Sequence, residues 1–377
     1  MFKMHPCSLA VMAASSVMFS MAANASLMEE VVVTAAKRAQ TLQEIPIAVS
    51  VTSADTIEKA AITDIGDLQT VVPTLRVHQL QSSANTGFAI RGFGNGTNDV
   101  GIEPSVGIFI DGVYRSRAGA AISDLPRLER IEVLSGPQST LFGKNASAGV
   151  VSVITPTPSG ETGGYLEAGL SNYSGKKIKG LYESAISEDL SFDISGNWNQ
   201  RDGYFDNSFD GSQQNDRDRW GIRGQVYYTP TEDVAIRVIA DYDEIDEVCC
   251  GTTNLLNGPT GLAISAIGGQ LVPDAPFSRD SYIDVEPFNE IENGGLSVQV
   301  DVDYESFTLT SITSYRTSDV VKNVDIDYTS AEVVSGGNQG LGLETFTQEF
   351  RLTSNTDGAV DWMVGGFFFD ESLDFND

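Results

Sequence analysis

The sequence predicts an α+β domain followed by the antiparallel strands of a transmembrane β-barrel, and three observations carry that reading. Residues 45–155 mix short strands with short helices. From residue 164 onward the pattern turns to apolar–polar alternation with period two. The connections between alternating segments are by turns short and long, as in an outer-membrane barrel with tight periplasmic turns and long outer loops. A water-soluble sandwich has no reason to keep its long loops at one end.

Residues 1–25 read as a secretory signal peptide. Lys3 supplies the positive start, Leu9 to Ala22 the apolar run, and Ala23-Asn24-Ala25 the small-residue cleavage site. The run is shorter than the roughly 20 residues a membrane-spanning helix needs. Residues 26–44 form a short segment and linker. They begin with "EEVVVTA" (29–35), whose valines resist helix and whose free backbone groups suit addition to a sheet edge.

Composition narrows the function classes. The formal charge is −29, with 23 Lys and Arg against 52 Asp and Glu. Clustered cations for phosphate binding are absent, so nucleic acid is excluded as a partner. His5 falls in the leader, which leaves His78 as the only mature histidine and removes any His-dependent catalytic pair. "GKNASAG" (143–149) lacks the Lys-Ser/Thr ending of a phosphate loop, and "DNSFDG" (206–211) would put Arg217 where a calcium loop needs an acid. The chain therefore reads as a non-enzyme without cofactor. "DYDEIDEVCCG" (241–251) crowds five acids beside Cys249 and Cys250. It is either a cation-capturing loop or a solvated rim, with the cysteines joined to each other or paired elsewhere.

In the α+β domain, "IAVSVTS" (47–53) reads as a strand. A helix follows over Asp55 to Ala61, with Asp55 and Glu58 spaced as a capping box. "DIGDLQTVV" (64–72) is a second short helix, stopped by Pro73. "FAIRGFG" (88–94) and "VGIFIDGVYRS" (106–116) are strand-like, the latter with a hairpin turn at Asp111-Gly112. "LERIEVLSGPQS" (128–139) and "GVVSVIT" (149–155) complete it.

Beyond residue 164, "LSFDISGNW" sets Leu190, Phe192, Ile194 and Trp198 against Ser191, Asp193, Ser195 and Asn197. "WGIRGQVYY" and "LSVQVDVDY" repeat the pattern. Tyr165, Trp198, Tyr228, Tyr242, Tyr304 and Tyr315 fall where interface girdles belong. About nine such strands are expected, an odd number, whereas single-chain bacterial barrels close with an even one. Unpaired edges in lipid cost several kcal/mol per group. The barrel is thus expected to be incomplete in this chain.

The ordered motifs "EEVVVTA", "IRGFG" (90–94), "VGIFIDGVYRSR" (106–117), "LERIEVLSGPQSTLFGKNASAGVVSVIT" (128–155), "NDRDRWGIRGQ", "FTLTSITSYR" and "FTQEFRLTS" resemble the TonB-dependent outer-membrane receptors. The resemblance implies a plug over 45–155 inside a 22-stranded barrel, of which residues 164–377 would supply the first part. It implies that Glu29, Glu30, Val31, Val32, Val33, Thr34 and Ala35 form the TonB box, grasped by the periplasmic energy transducer TonB. It further implies residence among outer-membrane lipid of a Gram-negative cell and energised uptake of a scarce, bulky ligand. A ferric siderophore or similar metal chelate comes first; cobalamin, haem, carbohydrate or aromatic ligands, or a truncated non-functional fragment, are alternatives. A passive porin needs neither plug nor box. The family pattern also suggests a plug–wall contact between Arg91 and Glu349, although Ser135 stands where a second plug arginine is usual. Ligand contacts are expected at the plug apex (79–104) and the outer loops.

Overall fold

The computed structural model describes residues 32–376, apart from 35, 39, 100, 118, 120, 125–126, 274–276, 335–336 and 356–359. The leader, Glu29, Glu30, Val31 and Ala35 lie outside the described residues. Two compact units divide the chain, residues 1–46 and 47–377. In the first, β1 (Val32–Val33) pairs antiparallel with β2 (Gln40–Thr41).

The second unit opens with the expected α+β domain. Its strands are β3 (Ala48–Ser53), β4 (Leu75–Gln79), β5 (Thr86–Ile90), β6 (Val106–Ile110), β7 (Val113–Arg115), β8 (Arg130–Ser135) and β9 (Gly149–Ile154). Five of them form a sheet in the order β3-β8-β9-β6-β7, with β6 parallel to β9, while β4 and β5 make a separate hairpin. Ile131, Val133, Val151 and Val153 pack with Ile65, Leu68 and Leu75 into one buried core, and Ile245, Ile291 and Val320 reach into it from the following sheet.

Local chemistry corrects three boundaries. The first helix is Ala54–Lys59, and its cap is Ser53, whose hydroxyl accepts the Thr56 amide. Asp55 instead pairs with Lys59 one turn on, at 2.8 Å. The second helix is a 3-10 turn over Ile65–Thr70, where Asp64 and Asp67 form a reciprocal capping box. The strand read over 88–94 ends at Ile90, because Arg91 (φ 53°) and Gly92 (φ 82°) turn the backbone. The Asp111-Gly112 hairpin is as expected: both residues have positive φ, as a two-residue type I′ turn requires. The turn abuts the following sheet, since a Cβ on Gly112 would come within 2.9 Å of Ile312.

The remainder is one nine-stranded antiparallel sheet. Setting aside the loop strands β13 (Phe205–Asn207), β14 (Gln213–Gln214) and β17 (Asp280–Ser281), its members are β10 (Gly163–Ser171), β11 (Gly175–Ser187), β12 (Leu190–Arg201), β15 (Arg217–Thr231), β16 (Val234–Glu247), β18 (Phe288–Asp303), β19 (Phe307–Asn323), β20 (Gln339–Ser354) and β21 (Met363–Asn376). Alternation sorts its faces. Ile194, Ile222 and Tyr228 are exposed on the outer face, while Asp193, Arg223 and Gln225 are buried against the α+β domain. No helix among the described residues is long and apolar enough to cross a membrane.

Connections at 188–189, 232–233 and 304–306 are tight, and those at 202–216, 248–287 and 324–338 are long and share the opposite end. One outer connection departs from the pattern: residues 172–174 make a short turn between β10 and β11 at the long-loop end. The strands also run long. β18 and β19 contain 16 and 17 residues, against the 9–11 that span the hydrocarbon. Their outer ends therefore stand clear of lipid. The loop strands β13, β14 and β17, which the alternation does not signal, form a three-stranded sheet over that end.

Candidate functional site: plug–wall interface and outer vestibule

The α+β domain rests on the inward face of the nine strands through charged and polar pairs. Asp111 lies at the centre of one group. Its positive-φ turn aims the carboxylate at the wall, where Arg223 and Arg237 (3.4 Å) meet it and the Thr155 amide donates at 2.9 Å. Only 2 % of this side chain is exposed. Burial alone would raise its pKa, but Arg223, Arg237 and the Thr155 hydrogen bonds outweigh burial and hold the carboxyl below its usual range. Arg237 also donates to the Thr155 carbonyl (3.1 Å) and Gln225 to that of Pro156 (2.9 Å), which fixes where the chain leaves the domain for the wall.

A second group lies closer to the outer end. Asp64 accepts from Arg217 (2.7 Å) and Arg219 (3.2 Å), and Arg219 in turn holds Glu247 and the Ile122 carbonyl (2.9 Å). Further along the wall the signs reverse. Arg117 meets Glu371 at 3.2 Å, Arg127 meets Glu183 at 3.1 Å, and Arg115 faces Asp241 at 3.8 Å. Single hydrogen bonds fill the spaces: Ser82 with Asn289, Ser123 with the Asp243 carboxyl, and Asn199 donating to the Asp124 carboxyl at 2.8 Å. Buried ion pairs contribute little net stability but penalise a wrong seating strongly. Such an interface fixes the seating of the domain.

Arg91 and Glu349 are not brought together. Glu349 accepts from Arg351, two residues along its own strand, and Arg91 is exposed on the turn after β5. The positive φ at Arg91 carries its side chain out of the strand line that the motif suggests. Docking falls to residues the sequence reading passed over. One signal for them was present: Arg217, Arg219 and Arg223 recur with period two on the lumen side of a strand whose other face is apolar.

Within the valine segment, Val32 and Val33 form the paired strand β1, and the Thr34 carbonyl accepts the Lys37 amide at 2.8 Å. At the outer end, Gln79 and Leu80 of the hairpin face Arg201, Tyr204, Glu247 and Cys249 across a cavity of about 460 Å³. The Arg201 guanidinium lies 4.9 Å from the centre of the Tyr204 ring. Cys249 and Cys250 are joined to each other, and Gln79 donates to the Cys249 sulfur at 3.3 Å. Beside them, burial and then the charge of Glu247 push Asp216 up to about 6, against a hydrogen bond from the Val248 amide. Among the described residues no group of three or more His, Cys, Asp or Glu side chains could hold a metal ion. The cavity thus presents guanidinium groups, aromatic rings, amides and the carboxyls of Asp216 and Glu247 to a visitor.

Comparison with known proteins matches this arrangement. The family model described as the TonB-dependent Receptor Plug Domain matches residues 41–150. The chain is 31% identical over 193 residues to the iron-regulated outer membrane virulence protein of Vibrio cholerae, covering 46% of this chain and 28% of that protein. It is 28% identical over 141 residues to the pesticin receptor of Yersinia pestis, covering 37% and 20%. The crystal structure of the ferric yersiniabactin uptake receptor from Yersinia pestis superposes with TM-score 0.73 at 18% identity, over 87% of this chain and 49% of that one. The chain thus spans about half the length of that solved receptor, and the fold, plug against wall, is shared.

Proposed function

The chain belongs to the TonB-dependent outer-membrane receptors and resides in the outer membrane of a Gram-negative bacterium, and on that premise we propose that it serves energised uptake of a bulky, scarce ligand. A ferric siderophore is the favoured cargo, supported by relatives named for iron regulation and ferric yersiniabactin uptake. The observation that carries the reading is the plug–wall interface, held by ion pairs at Asp64, Asp111 and Arg117. A permanently sealed domain would be better served by apolar packing, whereas a displaceable one needs contacts that water can substitute.

In this reading the ligand enters the vestibule between the Gln79–Leu80 tip and the outer loops. Residues Glu29 to Ala35 serve as the TonB box, and β-branched Val31 to Val33 add as a strand to the transducer's sheet. Pairing of β1 with β2 is weak enough to exchange for such a partner, since an isolated two-stranded ribbon is marginal in water. Force on this segment then pulls at a plug whose wall contacts release one after another. The division at residues 155–164, between plug and wall, is the point past which the chain would stay fixed.

The test is deletion of residues 29–35 in the receptor expressed in its own cells, with ferric-chelate uptake and surface binding measured side by side. Uptake is expected to fall to background while binding and membrane level hold. Undiminished uptake would refute the energised-receptor reading.

A further inference from the structure

A hollow lies on the lipid side of the wall, where β11, β12 and β15 run together. It is an open groove of about 580 Å³ with an almost wholly apolar lining. Gly180 and Gly196, directly paired across β11 and β12, form its floor. Leu166 and Ile222 flank that floor along the same row, and a Cβ on Gly180 would already meet Leu166 at 3.3 Å. Tyr182 and Ile194 bound the periplasmic side, while Trp198 and Trp220, opposite each other, stand at the outer mouth. From Ile194 to Trp198 the groove follows about 14 Å of strand, and about 5 Å separates its two glycines.

Above the indoles the same face becomes charged. Lys176 stands opposite Gln200, Gln200 opposite Asp218, and Trp220 opposite Glu244, with Asp246 two residues further out. Lys177 and Lys179 do not add to this rim, because Glu167 meets each of them at 2.9 Å on the other face. The mouth therefore carries Lys176 on one side and Asp218, Glu244 and Asp246 on the other.

Lipid tails are as apolar as the groove, so apolarity alone selects nothing, and close packing and the headgroup must do so. A floor two glycines wide admits one extended chain, whereas a helix about 10 Å across would ride on Leu166 and Ile222. Lys176 and Asp218 stand two strands apart, about 10 Å. A phosphate and an ammonium joined by two carbons bridge such a gap with one ion pair at each end. One cation against three acids disfavours an anionic headgroup. We propose that the groove seats a single zwitterionic phospholipid. Its acyl chain lies over Gly180 and Gly196, its phosphate at Lys176, and its ammonium at Asp218 beside the Trp220 ring. The site rests on residence in the membrane and is independent of the uptake reading.

The test uses the Trp362→Phe chain, whose fluorescence comes from Trp198 and Trp220, in vesicles of phosphatidylglycerol. A small share of the host lipid is replaced by phosphatidylethanolamine or phosphatidylglycerol carrying bromine on the acyl chain, which quenches nearby indoles. The ethanolamine lipid is expected to reach half-quenching at about a fivefold lower share than the glycerol lipid, as two partly solvated ion pairs imply. Lys176→Gln and Asp218→Asn should each reduce that preference about twofold, and Gly196→Val, which fills the floor, should remove it. The two charge variants lie on the rim and decide the matter even if the glycine variant fails to fold. Equal quenching by the two lipids, a preference unmoved in both charge variants, or displacement of the ethanolamine lipid by an equal share of lipopolysaccharide would overturn the assignment. Since no uptake is measured, failure of this site leaves the deletion experiment standing, and the converse also holds.

Discussion

At the residue scale, Asp111 shows how one carboxylate seats a domain. Its turn, with φ of 50° at Asp111 and 78° at Gly112, places the side chain between two wall arginines. Replacing it by Asn leaves Arg223 and Arg237 buried with reduced compensation. Loss of a partner from such a group costs about 3–5 kcal/mol, so Asp111→Asn should raise hydrogen exchange at the β6–β9 amides while the wall strands stay protected. The pH dependence has a definite sign. The folded pKa lies below the ordinary 3.8, so the carboxylate's contribution is complete above that value and is lost as pH falls through the lower folded one. In plug protection factors, which divide out the intrinsic pH dependence of amide exchange, the Asp111 contribution should be lost only below about pH 4. Plug release already at pH 5 would show that another group governs docking.

At the scale of single elements, the wall strands are explained by what each face meets. Ile194 sits midway along β12 on the lipid side, between Leu190 and Trp198. An arginine there should cost about 2–4 kcal/mol in a bilayer, read as a lowered unfolding midpoint in phospholipid vesicles. Thr313 and Gln348 occupy the outward face too, and they satisfy each other at 2.6 Å. Higher on that face Glu244 stands opposite Glu292, which stands opposite Asp319. Like charges so placed are tolerable only in water, which fits strand ends that rise past the membrane. Period-two alternation made the nine strands readable from sequence, because each must answer to lipid on one side and lumen on the other. The partners across the interface were not readable. Asp111 and Arg223 lie 112 residues apart, and the local pattern at Asp111 spoke only of a turn. Arg91 misled for the same reason: its motif recorded a residue type, and the positive φ that turns it away is a property of the folded backbone. The loop sheet of β13, β14 and β17 escaped because strands of two or three residues carry no period.

At the scale of the whole molecule, residues 47–377 combine a nine-stranded wall with a smaller domain seated on its inner face. The wall stays put because its strands share long continuous registers, β18 with β19 over 16 paired positions. On the proposed function the plug is released through separate polar pairs, while Ile245, Ile291 and Val320 add apolar contact at the core's edge. On that same proposal this interface opens when cargo passes. The most direct measurement is a cysteine pair at Ser123 and Asp243, whose side chains hydrogen-bond across it, introduced into the receptor in cells. Under oxidation the cross-linked receptor should bind ferric chelate at the surface yet fail to deliver it, and reduction should restore delivery to the level of the parent receptor given the same treatment, whose Cys249–Cys250 bond the reductant also meets. Full-rate uptake through the cross-linked plug would show that cargo passes without the interface opening.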